Sequence, residues 1–438
     1  MTDILTLSQP AGWKLHRLGQ LFEERKEKVS DKDFPPLSVT MGGIVPQLDT
    51  AAKSDDSDNR KLVRRGDYAI NSRSDRKGSG GVSELDGSVS LITIVLKPRG
   101  ILPRFAHHLL RSTAFQEEFY RWGHGIVADL WTTRFADMKN IRIFLPDLPT
   151  QKSIADFLDR ETARIDQLIE KKRRFLKLLG QKRAGVISQA VTKGLDSASP
   201  VKNSGVDWIG AIPAHWRMMK LGYLGTCANG INIGGDAFGS GFPFVSYGDV
   251  YKNRELPNQV EGLVQSNNDD RIRYSVKAGD VLFTRTSETM EEIGFSSVCA
   301  RTIENAVFAG FLIRFRPSGA RLEPRFSKFT FQNSGIREYF AKEMRLVTRA
   351  SLSQGLLQKM PIALPPIEEQ RAIADFLERI DRKIAFIMAK TENSIALLTE
   401  LRAALVTAAA TGQIDVTTWG KQGQMGHRLD RIEEAMRA

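Results

Sequence analysis

The chain contains twice, 219 residues apart, a stretch whose first copy reads Leu145-Pro146-Asp147-Leu148-Pro149-Thr150-Gln151-Lys152-Ser153-Ile154-Ala155-Asp156-Phe157-Leu158-Asp159-Arg160. The second copy reads Leu364-Pro365-Pro366-Ile367-Glu368-Glu369-Gln370-Arg371-Ala372-Ile373-Ala374-Asp375-Phe376-Leu377-Glu378-Arg379. Leu, Pro, Gln, the run Ile-Ala-Asp-Phe-Leu and the final Arg match position for position. This internal repeat is therefore the feature around which the chain is organised.

Each copy opens an amphipathic segment that is typical of a long helix. Prolines precede both segments, and Gly194 and Gly412 stand where a glycine ends a helix. At about 1.5 Å per residue, each helix is predicted to be roughly 60 Å long. Each helix leaves one domain and must reach the other, so we expect the pair to be antiparallel and to fix the spacing between the domains.

Apolar residues recur at heptad spacing on both segments, as in a coiled-coil seam. The residues predicted to pair the helices are Leu158, Ile165, Leu179, Leu377, Ile384 and Leu398. A second row of seam positions includes Phe175 and Ile387. Lys172 and Thr391 interrupt the first row at equivalent points, as register-setting residues do. The alternative is two unrelated surface helices. That alternative does not explain why the two copies share both identical residues and the same heptad register.

A second repeated stretch marks where each domain begins. Pro10-Ala11-Gly12-Trp13-Lys14-Leu15 returns as Pro213-Ala214-His215-Trp216-Arg217-Met218. The predicted fold class is mixed α/β: two domains with pseudo-twofold symmetry, bridged by two long antiparallel coiled-coil helices. The predicted divisions are domain one at 1–145, long helix one at 146–196, linker and domain two at 197–363, long helix two at 364–416, and a polar tail at 417–438.

Composition places the chain among soluble globular proteins of a reducing compartment. Hydrophobic residues make up 41% of the 438 residues, and no long apolar run is present. The first residues lack the basic and apolar regions of a signal peptide. Cys227 and Cys299 stand apart from each other and from histidines, which argues against a disulfide scaffold or a zinc site. We therefore expect a cytoplasmic protein.

The positive charge is concentrated in the first long helix. The chain has a formal net charge of +12, and residues 151–196 contribute 11 bases against 6 acids. Residues 171–183 hold seven bases and no acid. A polyanion such as DNA is one partner that this run favours, and a solvated helix face is the other interpretation.

Searches for catalytic chemistry find little. The glycines at 234–235 and 239–241 match neither a phosphate loop nor a dinucleotide fingerprint. The pair His107-His108 falls on a predicted helix and is expected on the surface. We therefore predict no catalytic residue, no metal ligand and no cofactor.

The local pattern predicts several shorter elements. Residues 34–58 are expected to be rich in loops, and residues 88–96 to form one buried strand. Residues 103–122 and 325–340 are predicted to form one helix in each domain. Strands are expected at 295–300 and 311–316.

Binding chemistry remains, and it is concentrated in matching loops of the two domains. Each loop follows a Gly-Asp turn and a short strand. Arginine can read guanine edges with two hydrogen bonds, while hydroxyls and lysines hold phosphates. The residues predicted to bind DNA are Ser72, Arg73, Arg76 and Lys77 in the loop of domain one, Thr284, Arg285 and Thr286 in the loop of domain two, and Tyr247, Lys252, Arg271 and Arg273 in a neighbouring stretch of domain two. For any single arginine, a plain surface charge is the competing interpretation.

Several of these stretches resemble the specificity subunits of type I restriction–modification systems. The entry Asn203-Ser204-Gly205-Val206-Asp207-Trp208-Ile209-Gly210-Ala211-Ile212-Pro213-Ala214-His215-Trp216 is similar to the start of a target-recognition domain in that family, as is Gly279-Asp280-Val281-Leu282-Phe283-Thr284-Arg285. The stretch Leu364-Pro365-Pro366-Ile367-Glu368-Glu369-Gln370 and the ending Thr411-Gly412-Gln413-Ile414-Asp415 resemble the family's helical spacers. The resemblance covers residues 10–416, and domain one departs most because it lacks the Ser-Gly-Val-Asp-Trp prelude.

The resemblance implies a non-catalytic subunit that reads an asymmetric, two-part sequence of double-stranded DNA. It also implies that the paired helices dock two methyltransferase subunits, which bring S-adenosylmethionine, and that a restriction and translocation subunit joins them. A specificity partner of another multi-subunit DNA methyltransferase and a coiled-coil scaffold that binds only proteins are the alternatives. The bases recognised do not follow from loop composition.

Overall fold

The chain folds as two units, each assembled from segments that are distant in sequence. The computed structural model describes residues 9–48, 58–73, 77–125, 131–287, 293–343 and 350–419. The first unit comprises Met1–Arg174 with Thr391–Ala438, and the second comprises Phe175–Lys390. Each long helix therefore contributes one part to each unit.

The first unit is a mixed helix and strand domain. Its elements are β1 (Lys14–Arg17), α1 (Leu18–Leu21), β2 (Phe22–Glu24), β3 (Lys28–Val29), β4 (Leu37–Thr40), β5 (Gly43–Pro46), β6 (Arg60–Val63), β7 (Tyr68–Asn71), β8 (Gly80–Val82), β9 (Gly87–Val89), β10 (Thr93–Pro98), α2 (Pro103–Leu109), α3 (Thr113–Arg121), α4 (Phe135–Met138), β11 (Arg142–Leu145) and the start of α5 (Leu148–Lys193). An antiparallel sheet of order β2-β10-β7-β8 shares its core with α2 and α3.

The second unit repeats this plan. Its elements are β12 (Val201–Asn203), β13 (Ala211–Pro213), β14 (Arg217–Lys220), β15 (Gly225–Asn229), β16 (Phe238–Val245), α6 (Tyr247–Lys252), β17 (Leu263–Val264), α7 (Asn268–Arg273), β18 (Val281–Thr284), β19 (Thr286–Ser287), β20 (Ser296–Val298), β21 (Val307–Phe308), β22 (Leu312–Pro317), α8 (Pro324–Thr330), α9 (Ser334–Glu343), β23 (Ala350–Ser351), α10 (Gln354–Lys359), β24 (Pro361–Leu364) and the start of α11 (Ile367–Ala410). Its four-stranded sheet has the order β15-β22-β18-β20.

The two long helices, α5 and α11, occupy most of the predicted ranges 146–196 and 364–416. The Asp147 side chain accepts the Thr150 N–H at 3.0 Å, which satisfies a free donor in the first turn of α5. Gly194 and Gly412 both take a left-handed φ of 73° just beyond the last turn. The predicted mixed α/β class with two long helices is confirmed.

Inside each unit the two helices run antiparallel. In the first unit, the Phe157 and Trp419 rings lie 5.5 Å apart, and Asp166 accepts Arg402 Nε at 2.8 Å. In the second unit, Asp381 accepts Arg183 Nη2 at 2.6 Å. The predicted pairing residues Leu158, Ile165, Leu179, Leu377, Ile384 and Leu398 are all buried.

The repeated glutamine explains why the helix start is kept in both copies. Gln151 donates to the Pro146 carbonyl at 2.9 Å and accepts the Leu102 N–H at 2.8 Å. Gln370 makes the same two kinds of bond, with the Pro365 carbonyl and the Glu323 N–H, each at 2.9 Å. Leu102 and Glu323 precede the first turns of α2 and α8, so each glutamine ties a long helix to the domain before it.

The structure corrects several shorter elements. Residues 103–122 form two helices because the Ser112 hydroxyl accepts the Phe115 N–H and caps a new helix. Residues 325–340 are divided in the same way into α8 and α9. Residues 88–96 belong to two strands, β9 and β10, and the expected loop region contains the hairpin β4–β5.

Two predicted seam positions are wrong. Phe175 and Ile387 are 43% and 40% exposed, respectively. Leu178 and Phe386 beside them are exposed as well. Near these positions the strict heptad does not describe which residues are buried. Within the described residues, no helix is long and apolar enough to cross a membrane.

Candidate nucleic-acid interface

Each candidate loop follows a short strand, and that strand begins at a Gly-Asp turn that holds a buried carboxylate. Gly66 and Gly279 share a left-handed φ of 89°, which suits glycine. Asp67 accepts Arg25 Nε at 2.7 Å, and its carboxylate also accepts the N–H of the residue three positions earlier. Asp280 does the same with Arg316, whose Nη2 lies 2.6 Å from Oδ2. The turn fixes where the next strand starts.

In the first unit, Tyr120 brings two of the predicted residues together. The Tyr120 hydroxyl donates to the Arg73 carbonyl at 3.4 Å, and its ring lies 5.3 Å from the Lys77 ammonium. Arg73 and Lys77 are exposed, and Lys77 also pairs with Glu117. Ser72 is buried and gives its carbonyl to the backbone, so Arg73 and Lys77 are the groups available to a ligand. The predicted Arg76 lies outside the described residues.

In the second unit, the predicted threonine and arginine differ sharply in exposure. Thr284 is fully buried, and its hydroxyl accepts the Phe295 N–H at 2.9 Å. This burial contradicts a direct DNA contact from Thr284, which instead supports the strand. Arg285 is half-buried and its backbone is held by Phe311 and Leu352, while Thr286 follows in β19. Arg285 and Thr286 remain the accessible pair.

The other predicted residues lie on two short helices. Tyr247 stacks on Tyr251 in α6, with ring centroids 5.9 Å apart, and Lys252 ends that helix exposed. The Arg271 guanidinium lies 3.8 Å from the centre of the Phe242 ring and donates to the Ser266 carbonyl at 2.6 Å. Arg273 is exposed at the end of α7. Arg271 is thus largely used inside the fold, whereas Lys252 and Arg273 face solvent.

Sequence reasoning missed an aromatic group beside Arg285. Phe311 was predicted to be part of a strand, but β22 begins at Leu312 and the Phe311 side chain is 63% exposed. The Phe311 carbonyl accepts the Arg285 N–H at 2.9 Å, so the two residues are adjacent. Only the preceding Gly310 hinted that the strand starts later.

The histidine pair was also misplaced. His107 and His108 were expected on the surface, yet His108 is only 7% exposed and its Nε2 lies 2.6 Å from Asp159.

Burial raises the pKa of both Cys227 and Cys299 to about 12, which makes them unreactive as thiols. Among the described residues, no group of three or more His, Cys, Asp and Glu side chains could hold a metal ion.

Comparison with known proteins finds a family model that matches part of the chain. Residues 213–397 match the model of the type I restriction modification DNA specificity domain. Over these residues the chain is similar to the DNA specificity domain of type I restriction–modification systems. The matched segment runs from the end of β13 into α11, so it contains the Gly279-Asp280 turn and Arg285.

Curated relatives and solved structures agree with this family. The type I restriction enzyme EcoKI specificity subunit of Escherichia coli is 23% identical over 332 residues, which cover 73% of this chain and 68% of the relative. The MjaX specificity subunit of Methanocaldococcus jannaschii is 27% identical over 414 residues, covering 90% of this chain and 87% of the relative.

Solved structures show the same fold. One is a chain from a study of complex assembly and conformational transition in a type I restriction–modification system, with a TM-score of 0.68 and 20% identity, covering 93% of this chain and all of that one. The HsdS subunit of Thermoanaerobacter tengcongensis has a TM-score of 0.53 at 20% identity, covering 93% of this chain and 99% of the subunit. Because both structures are only 20% identical to this chain, the similarity shows a shared fold and no more.

Proposed function

We propose that this chain is a specificity subunit of a type I restriction–modification system and recognises a two-part, asymmetric sequence of double-stranded DNA, one half with each unit. The observation that carries the proposal is the repeated Gly-Asp turn, which leads in both units to a loop with an accessible arginine. Arg73 is that arginine in the first unit and Arg285 in the second. The Gly-Asp turn and the strand after it are repeated in both units, while the residues of the loops differ. This is expected when two related domains read different bases.

Arginine at these positions suits base reading. Its planar guanidinium can donate two hydrogen bonds to O6 and N7 of guanine in the major groove. The exposed Phe311 ring beside Arg285 offers an apolar surface, and such surfaces contact the thymine methyl group. Lys77, Lys252 and Arg273 are exposed cations suited to phosphates, which position a protein without specifying the sequence.

We further propose that the chain is non-catalytic and acts in a cytoplasmic complex with two methyltransferase subunits, which bind S-adenosylmethionine, and a restriction subunit. Support comes from the relatives, which are named type I restriction enzyme specificity subunits. The exposed apolar side chains of Phe175, Leu178 and Phe386 give the long helices a surface for docking. A Phe386→Ala variant should retain less methyltransferase subunit in co-purification than wild type.

Base reading by Arg285 can be tested once the target is known. Methylome sequencing of a host that carries this chain and its methyltransferase gives the recognised sequence. Arg285→Ala should then cost about 1–3 kcal/mol of specific binding and relax discrimination in one half-site only. Arg73→Ala should act on the other half. Arg371→Ala, an exposed residue of α11, is the control.

Two results would count against the proposal. Normal binding and discrimination by Arg285→Ala would remove that residue from the interface. If the isolated chain showed no DNA binding even at low salt, the alternative of a protein-binding coiled-coil scaffold would be the better account.

A further inference from the structure

The first unit contains a polar cavity that DNA reading, as described above, does not use. Its volume is about 470 Å³. Segments from α2, α3, α5 and α11 surround it, and its polar lining includes His107, Arg111, Gln116, Asp166, Thr399 and Arg402. The size is within the range of small-molecule sites.

Two hydrogen-bond donors face each other in this cavity. The Val82 N–H donates to His107 Nδ1 at 3.2 Å, and Arg111 Nη1 lies 2.9 Å from His107 Nε2. Burial, aided by the Arg111 charge, lowers the pKa of His107 to about 3, so the ring is neutral near pH 7. A neutral imidazole has one N–H and one acceptor nitrogen. Because the Val82 N–H is fixed in a strand, the proton belongs on Nε2, where it faces the Arg111 N–H.

Arg111 also differs from its charged neighbours in having no carboxylate partner among the described residues. Asp166 is held by Arg402 through Nε and Nη2, at 2.8 and 3.0 Å, and Asp159 by Arg104 and His108. Arg111 Nη2 donates only to the neutral carbonyl of Met41. A largely buried guanidinium with no directly paired carboxylate is costly, and burial lowers its pKa although the nearby Asp166 charge acts in the opposite sense.

The second unit shows how the fold satisfies a cation at the corresponding place. Arg325 occupies the position of Arg104 in the helix repeat, which places Lys328 where the first unit has His107. Lys328 pairs with both Glu255 and Glu378, at 3.1 and 3.3 Å. Gln332 stands where the first unit has Arg111. The uncompensated arginine is therefore particular to the first unit.

We propose that this cavity binds a phosphate group through Arg111 and the Nε2–H of His107. The two nitrogens are in contact at 2.9 Å, so binding would move the Arg111 side chain aside; an anionic oxygen would then accept from both donors and neutralise the guanidinium. The Gln116 amide lines the same cavity; one of its N–H groups donates to the Arg111 carbonyl, and the other can donate to a ligand. A phosphate spreads its charge over at least three oxygens that point in different directions, so it can reach donors on several sides of a cavity, whereas the two oxygens of a carboxylate lie in one plane. The group comes either from a free phosphate compound or from the DNA backbone.

The first arm of the test uses inorganic phosphate and the full-length chain without DNA. Phosphate is titrated against chloride at constant ionic strength, and binding is followed by calorimetry and by the rise in Tm. Wild type should bind, and Arg111→Gln, which copies the second unit, should bind roughly tenfold to a hundredfold more weakly. Arg65→Gln, at an exposed arginine paired with Glu84, should bind as wild type does.

The second arm uses a DNA duplex and identifies the source. If the phosphate belongs to DNA, Arg111→Gln should reduce the slope of log K against log salt by roughly one, and Arg111→Lys should restore most of it. A phosphate response that depends on Arg111 supports a free ligand even if the chain binds no DNA. If Arg111→Gln changes neither phosphate binding nor the salt slope while remaining folded, as circular dichroism would show, the proposal is overturned.

Discussion

Asp280 and Arg316 are joined by two hydrogen bonds, of 2.7 Å from Nε and 2.6 Å from Nη2, at the turn that precedes β18. Asp67 holds Arg25 in the same way before β7. The two arginines do not correspond, because Arg316 lies in β22 whereas Arg25 follows β2. Both units thus pair the aspartate of the Gly-Asp turn with an arginine, but that arginine comes from a different strand region in each unit.

Because Asp280 pairs with Arg316, removing the Asp280 charge should strongly lower the free energy of unfolding. Asp280→Asn keeps the shape of the side chain but leaves the Arg316 guanidinium without its counter-ion. We expect the free energy of unfolding to fall by about 3–5 kcal/mol. Urea denaturation measures it, with the exposed Glu261→Gln as the control. A loss below about 1 kcal/mol would place the pair among weak surface ion pairs.

Replacing Gln370 should lower the free energy of unfolding more than replacing Gln151. Gln370 donates to the carbonyls of Arg321 and Pro365 and accepts the Glu323 N–H, whereas Gln151 makes two comparable bonds. Replacement by leucine leaves these buried groups unsatisfied, at about 1–3 kcal/mol for each group that water does not reach. We therefore expect Gln370→Leu to destabilise more than Gln151→Leu.

Hydrogen exchange gives an independent measurement of the same bonds. The Glu323 amide should exchange faster in Gln370→Leu, and the Leu102 amide in Gln151→Leu. Equal stability losses without faster exchange at these two amides would mean that the glutamines act through packing alone.

The repeat made much of the fold predictable. Identity at the Gln-Ile-Ala-Asp-Phe-Leu positions and the glycines 194 and 412 located both helices and their ends. The role of the glutamine could not be predicted, because Gln151 and Gln370 bind residues 49 and 47 positions earlier in the chain. The breaks within residues 103–122 and 325–340 were also missed, although the capping residue Ser112 was visible in the sequence.

The candidate site was less predictable than the fold. Composition selected loops rich in arginine and hydroxyls, but it could not separate buried Thr284 from accessible Arg285 one residue later. Arg271 was selected for its charge, while its stacking on Phe242 depends on a strand 29 residues earlier. Exposed Phe311 appeared to belong to a core strand. Side-chain direction at the ends of strands, which sets these differences, depends on tertiary packing.

His107 should make stability depend on pH. Burial, then Arg111, His108 and Arg402, lower its folded pKa to about 3, with Asp159 acting in the opposite sense. The unfolded chain, with a pKa of about 6.5, binds the proton first as pH falls. The contribution of the uncharged His107 ring to the free energy of unfolding is therefore complete above a pH of about 6.5. It falls by about 1.4 kcal/mol per pH unit as the pH drops toward 3.

The measurement compares wild type with His107→Gln, which cannot titrate. Between pH of about 7 and about 5, wild type should lose roughly 2 kcal/mol of unfolding free energy relative to the variant. His16→Gln, in β1, is the control, and the buffer should contain no phosphate. Parallel pH profiles for wild type and His107→Gln would show that the histidine titrates normally in the folded chain.

The glycines that end the long helices should rank in a fixed order when replaced by alanine. Gly412, Gly194 and exposed Gly100 all have φ near +73°, so each substitution carries the same backbone cost of about 1 kcal/mol. A methyl group on Gly100 meets nothing within 4 Å, whereas one on Gly412 would lie 2.6 Å from Pro10 Cγ. On Gly194 the nearest atom is a Glu369 carboxylate oxygen, at 3.0 Å, which is the far end of a side chain rather than a ring or the backbone.

We therefore expect Gly100→Ala to lose only the backbone cost, Gly194→Ala slightly more, and Gly412→Ala a further 1–3 kcal/mol or so from overpacking. Denaturation of the three variants under one set of conditions gives the ranking, with Gly100→Ala as the internal standard. Near-equal losses would mean that Pro10 and Trp13 yield easily. The end of α11 would then be loosely packed against the segment that precedes β1, and the close approach of Pro10 and Trp13 would not be what requires glycine at position 412.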